Sequence, residues 1–67
     1  MNDREYVEVE VERILRETDL AFLCLIDDCE EWIPKSQIEE PELFGDGDED
    51  VILMMTRWIA DQKGIET

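Results

Sequence analysis

Residues 6–12 read Tyr-Val-Glu-Val-Glu-Val-Glu, a strict alternation of apolar and charged positions. Period two predicts a strand that turns Val7, Val9 and Val11 toward a core and Glu8, Glu10 and Glu12 toward water. The alternation breaks at Ile14-Leu15, two adjacent apolar residues that predict a bulge or a strand end. Thr18-Asp19 is turn chemistry. Residues 20–26 are then apolar throughout. Leu20, Phe22, Cys24 and Ile26 fall on one face of that second strand, with Ala21, Leu23 and Leu25 on the other. Such a strand is expected at the centre of a sheet, covered on both sides.

Asp27-Asp28 predicts a two-residue turn into a third strand over 29–33. Cys29 then opposes Ile26, and Cys24 opposes Glu31. Pro34 ends that strand or places it at an edge, because proline cannot donate to a ladder. Ser36-Gln37-Ile38 reads as a short bend returning Ile38 to the core. Residues 39–50 carry seven carboxylates with one proline and two glycines, a loop by composition. Residues 51–55 predict a fourth strand. Thr56 is placed to cap a short helix over 57–63, with Gly64 as its left-handed stop and Trp58 and Ile59 docked on the sheet.

The sum is a single α+β domain. It is a small, mostly antiparallel four-stranded curled sheet or partial β-barrel, with one C-terminal helix plugging an opening. A 67-residue chain buries only about 60% of the surface its unfolded form exposes, so the core is thin. An enzyme with an interdomain cleft does not fit in that length.

Charge sharpens the picture. Twenty Asp and Glu against six Lys and Arg give a net charge of −14. Gripping DNA, RNA or an anionic membrane through phosphates needs a basic face, so direct nucleic-acid and membrane binding are excluded as expectations. The chain has no His and only two Cys, and a single Ser, Ser36. Most nucleophile–base pairs therefore cannot be built, and no catalytic residue is expected. Acidic disordered chains are poor in branched and aromatic residues; this one is 43% hydrophobic, and its apolar residues come in runs. It is expected to fold against self-repulsion, as a monomer aided by salt. Met1-Asn2-Asp3-Arg4-Glu5 lacks the cationic start and apolar stretch of a signal peptide. A soluble, intracellular protein is the expectation.

No metal or other cofactor is expected. Asp46, Asp48 and Asp50 have the first three ligand spacings of a calcium loop. Val51 stands where that loop needs Gly, and Arg57 where it needs Glu. Two cysteines without a histidine do not make a zinc site. Their diagonal placement also exceeds the ~7 Å between Cα atoms that a disulfide allows, so both are read as buried small hydrophobes. Trp32 and Trp58 are assigned to the core or to helix docking, and Lys35 to pairing with a neighbouring carboxylate.

The acidic stretches are the candidate partner-binding residues. Glu8, Glu10 and Glu12 repeat about every 6.6 Å along a strand, two residues of roughly 3.3 Å each. That resembles phosphate spacing on an extended backbone, and the row also blunts a sheet edge. Glu39, Glu40, Glu42, Asp46, Asp48, Glu49 and Asp50 form a second acidic surface. Phe44 among them is read as a binding anchor or as a lid over the small core.

The segments Glu31-Trp32-Ile33-Pro34-Lys35-Ser36-Gln37-Ile38 and Trp58-Ile59-Ala60-Asp61-Gln62-Lys63-Gly64-Ile65 carry a resemblance. They resemble small bacterial and phage proteins with a Trp-Ile/Val-Pro-Lys-Ser-Gln-Ile segment and a terminal Trp-Leu-Ala-x-x-Lys-Gly-Leu helix. This chain differs in having Thr56-Arg57 before Trp58 and a heavier acid load. The resemblance implies a small β-barrel-like fold and a phage or mobile-element setting. By type, a short and strongly acidic chain of that setting also resembles the anti-CRISPR proteins and other DNA mimics. That implies an inhibitor occupying the nucleic-acid site of a basic protein such as a CRISPR effector subunit. Two other readings stand beside it. One is an accessory module of a phage replication or recombination cassette, binding protein through Phe44 and the Trp58 helix. The other is an acidic housekeeping domain of a halophile, whose charges carry no function.

Overall fold

The computed structural model describes residues 5–65. Met1 to Arg4, on which the signal-peptide reading rests, lie outside the described residues. Strand β1 (Tyr6–Glu17) pairs antiparallel with β2 (Ala21–Ile26) and with β4 (Glu49–Thr56), and β3 (Cys29–Pro34) pairs antiparallel with β2. The sheet order is β3-β2-β1-β4. The sheet is curled and does not close, and one short helix, α1 (Arg57–Gln62), follows the last strand. This is the α+β architecture that the patterning predicts.

β1 holds the sheet together by using its two halves differently. Residues 6–13 pair with β4, and residues 13–17 pair with β2. The register shifts between Ile14 and Arg16, at the adjacent apolar pair where the alternation breaks. The β1–β2 turn is fixed by Thr18, whose hydroxyl accepts from the amides of Leu20 at 3.3 Å and Ala21 at 3.0 Å. Leu20 therefore belongs to this turn and is 79% exposed, rather than opening β2 as expected. Asp27 and Asp28 both take positive φ, 51° and 64°, the backbone of a two-residue turn whose twist matches its strands. Ile26 opposes Cys29, and Cys24 opposes Glu31, as the turn requires.

From edge strand β3 the chain makes a short 3-10 turn (Lys35–Gln37) and arrives at the opposite edge, where Ile38 bridges to Met55. Glu39 N–H donates to the carbonyl of Met54 at 2.8 Å. This crossing lays Ile38, 4% exposed, into the core. Thr56 joins the crossing to the helix: its hydroxyl donates to Gln37 Oε1 at 2.7 Å and accepts from Ile59 N–H at 3.2 Å. Ile59 and Ala60 face the sheet and are buried, and Gly64 at φ 70° provides the left-handed stop.

The core lies on one face of the sheet. Val9, Val11, Ile14, Phe22, Cys24, Ile26, Ile33, Leu53 and Met55 point inward under Ile38, Ile59 and Ala60. The expectation that β2 is covered on both sides is corrected here. Leu23 and Leu25 are only half-buried, because every covering element passes over the inner face. The thinnest dimension of the molecule is 16 Å, which leaves room for the sheet and a single layer about 10 Å from it. The tryptophan expectations are corrected for the same reason. Trp32 lies on the outer face at 42% exposure, and Trp58 lies on the solvent side of α1 at 59%. Cys29 is exposed rather than buried, and both thiols are free.

Adjacent residues of β2 should then differ sharply on truncation. Phe22 is fully buried, so Phe22→Ala should cost about 3–5 kcal/mol, enough to unfold a domain this small. Leu23→Ala removes a half-exposed side chain and should cost about 1 kcal/mol. Urea midpoints of the two variants check this. Equal losses would place a covering layer on both faces.

Candidate acidic interface

The strand row emerges where period two places it. Glu8, Glu10 and Glu12 are exposed on the outer face of β1. Glu8 and Glu10 lie on the half of β1 that pairs with β4 alone, so the row borders a side of β1 with no second strand partner among the described residues, an edge of the kind it is expected to blunt. Glu8 stands opposite Met54, and Glu10 opposite Ile52. Glu12 turns its carboxylate to the β2–β3 turn, accepting from Asp28 N–H at 3.2 Å.

The 39–50 stretch is more ordered than a composition-based loop. A 3-10 turn (Pro41–Leu43) opens at Glu40, which takes a left-handed φ of 52° ahead of the proline. Glu39, Glu40 and Glu42 are exposed around it. Phe44 is half-buried against the core while Leu43 is 66% exposed, so Phe44 acts as a lid and not as a protruding anchor. Asp48 Oδ2 accepts from Gly45 N–H at 3.0 Å and closes a small turn with Asp46 at its exposed tip. The end of the stretch is pinned to β1: Gly47 N–H donates to Ile14 carbonyl and Ile14 N–H to Asp48 carbonyl, each at 2.8 Å. β4 accordingly begins at Glu49, two residues before the expected strand. Arg13 pairs with Glu49 across the ladder.

Asp50 has left-handed φ of 53° between the ladder pairs Val11–Val51 and Arg13–Glu49. It lines a surface depression of about 310 Å³ together with Glu10, Val11, Glu12, Val51 and Ile52. Two acidic stretches some forty residues apart in the sequence thus meet at one place. Glu39, Glu40, Glu42 and Phe44 are not among the residues lining it.

Little of this charge is compensated internally. Eighteen carboxylate side chains lie among the described residues. Ion pairs join cations to Glu49, Glu17 and Glu5, and Glu8, Glu10 and Asp50 have no ion-pair partner among the described residues. Exposed pairs of this kind contribute at most about 1 kcal/mol each. The Glu17–Lys35 pair is the most sheltered: Lys35 Nζ donates to Glu17 Oε2 at 2.7 Å and sits 5.0 Å from the centroid of the Phe22 ring. The hydrogen bond from Lys35 holds the Glu17 carboxyl below its ordinary value of 4.5. Among the described residues no group of three or more acids, cysteines or histidines is arranged to hold a metal ion. No helix among them is long and apolar enough to cross a membrane.

Comparison of the chain with protein-family models, with curated proteins and with solved structures finds no match.

Two measurements follow from these environments. Burial pushes the Cys24 thiol up to about 12, whereas Cys29 is open to reagents. A disulfide-forming dye at neutral pH should titrate one thiol in the native protein and two in denaturant; two in the native state would contradict the inward face of β2. The depressed Glu17 carboxyl contributes stability that is present above 4.5 and lost as pH falls through its lower folded value. The stability difference between the parent and Glu17→Gln should therefore shrink as pH drops below 4.5. A difference that persists to full protonation would show that the Lys35 pair is not its source.

Proposed function

We propose that this chain is a non-enzymatic inhibitor of the anti-CRISPR, DNA-mimic type. In this reading it occupies the nucleic-acid site of a basic protein, such as a CRISPR effector subunit, in the cytoplasm of a bacterial host. The observation that supports it is the convergence of Glu10 and Glu12 with Asp50 at one surface depression. Glu8 extends the same row. A pre-formed row of carboxylates on a rigid strand loses little entropy on docking, and its charge speeds encounter with a basic groove. Glu39, Glu40, Glu42, Asp46, Asp48 and Glu49 widen the negative field without sharing that depression.

A second reading, an accessory module that binds protein, is favoured by the exposure of Leu43 and Trp58. It no longer has Phe44 as a free anchor, since that ring packs on the core.

The test is a titration of the isolated target at ~50 and ~200 mM salt, the range in which phosphate-type contacts lose most affinity. Under mimicry, duplex DNA or guide RNA competes with the protein for the target. Changing Glu8, Glu10 and Glu12 together to Gln should weaken binding by about tenfold or more and flatten the slope of log K against log salt by about three. Asp50→Asn should weaken it further, while Asp19→Asn and Asp61→Asn should change little. Binding that ignores salt and competitor but collapses with Trp58→Ala would replace mimicry with the accessory reading.

A further inference from the structure

One side of β1 is left without a partner over its first half. Residues 6–13 pair with β4, whereas β2 takes up the ladder only from Arg13 onward. The pairing with β4 fixes which backbone groups face the open side. Arg57 N–H donates to the Glu5 carbonyl at 2.8 Å, next to the Tyr6–Thr56 pair. Bonded and non-bonded pairs alternate along an antiparallel ladder. Val7, Val9 and Val11 therefore bond to β4, and Tyr6, Glu8 and Glu10 turn their N–H and C=O groups away from it. The Met54 carbonyl agrees: Met54 stands opposite Glu8, and its carbonyl accepts from Glu39 N–H on the far side of β4. Among the described residues no turn, loop or further strand donates to or accepts from the backbone of Tyr6, Glu8 or Glu10 on the open side. Free ladder groups of this kind are a template for another strand.

We infer that this edge takes an extended segment of a partner protein in which Lys or Arg alternates with apolar residues, added to the sheet as a strand. Hydrogen bonds to the backbone of Glu8 and Glu10 supply the pairing, and the two faces of β1 select the side chains. On the outer face a cation stands opposite Glu8 and Glu10, which have no ion-pair partner among the described residues. On the inner face an apolar side chain lies beside the half-buried Val7 and the buried Val9, at the margin of the core. Arg13 and Arg16 lie where β2 has taken up the ladder, so the open stretch carries acids as its only charges. A second copy of this chain is selected against, because β1 paired antiparallel on β1 sets glutamate against glutamate. The inference goes beyond the mimicry reading: it rests on the open ladder and asks nothing of a nucleic-acid site in the partner.

The test uses a peptide of about nine residues alternating Lys and Val, long enough to pass the open stretch at roughly 3.3 Å per residue. Two derivatives of equal charge are N-methylated, one at its central lysines and the other at its central valines. Opposite Glu8 and Glu10 the lysine amides point at β1 and the valine amides point away. Lysine methylation removes ladder donors and should weaken binding by about tenfold or more, read by anisotropy of labelled peptide. Valine methylation should change it little. In the protein, Glu8→Pro keeps the hydrogen bonds to β4 and removes one open N–H, so it should weaken binding by about tenfold or more. Glu8→Gln removes the charge alone and should weaken it by about threefold. Far-UV spectra check both variants, and the methylated peptides decide alone if Glu8→Pro does not fold. Amide hydrogen exchange reads the edge itself: Glu8 and Glu10 should exchange fast in the free protein, unlike Val9, and become protected by the unmethylated peptide. Equal loss for the two methylated peptides, or binding that leaves Glu8 and Glu10 unprotected, would overturn the inference and leave a contact of charge alone. Failure of the unmethylated peptide to bind would overturn it too. So would Glu8 and Glu10 amides already protected in the free protein, which would mean that the edge is occupied. Displacement by nucleic acid on the captured target is a separate result, so the two readings fail separately.

Discussion

Burial of the inner sheet face has to outweigh the mutual repulsion of a chain with net charge −14. The means available are limited, because a small domain removes little apolar surface from water. The chain concentrates that burial: Ile14, Phe22, Cys24, Ile33, Leu53 and Met55 are all fully inaccessible on one side of one sheet. Four of its strands, the crossing at Ile38 and the helix at Ile59 converge there. Charges are kept on the other side and around the rim. Repulsion is thereby placed where water and salt screen it best.

The same constraint explains why the molecule has two unlike faces. A single covering layer suffices to exclude water from the inner face, and among the described residues α1 and the 35–38 crossing supply it. What remains outside is β1 with Glu8 and Glu10 beside Met54 and Ile52 of β4 in its first half, and Arg13 and Arg16 beside Leu25 and Leu23 of β2 in its second. The acidic half has long reach through its field, and its apolar neighbours act only at contact. Encounter and residence can therefore be carried by different residues of one face.

Much of this was legible in the sequence because it is local. The Val-Glu alternation sets β1, Asp27-Asp28 sets the register of β2 and β3, and Thr56 with Gly64 brackets the helix. What escaped is non-local. β4 starts at Glu49 because Gly47 and Asp48 pair with Ile14, a partner more than thirty residues away. Asp50 reaches Glu12 only through a left-handed residue inside that ladder. Apolar periodicity identifies β2 as two-sided but does not say whether the chain covers both faces. Trp58 was misplaced because it directly precedes Ile59; on a helix of six residues successive positions lie about 100° apart, and only one stripe can face the sheet.

The central claim is that the inner face is filled by this chain while the outer face is left open. Solution NMR with a neutral soluble paramagnetic probe reads this directly, methyl by methyl. The account predicts strong attenuation at Leu23, Leu25 and Ile52, and protection at Ile14, Ile33 and Leu53. Equal protection of the two sets would contradict it.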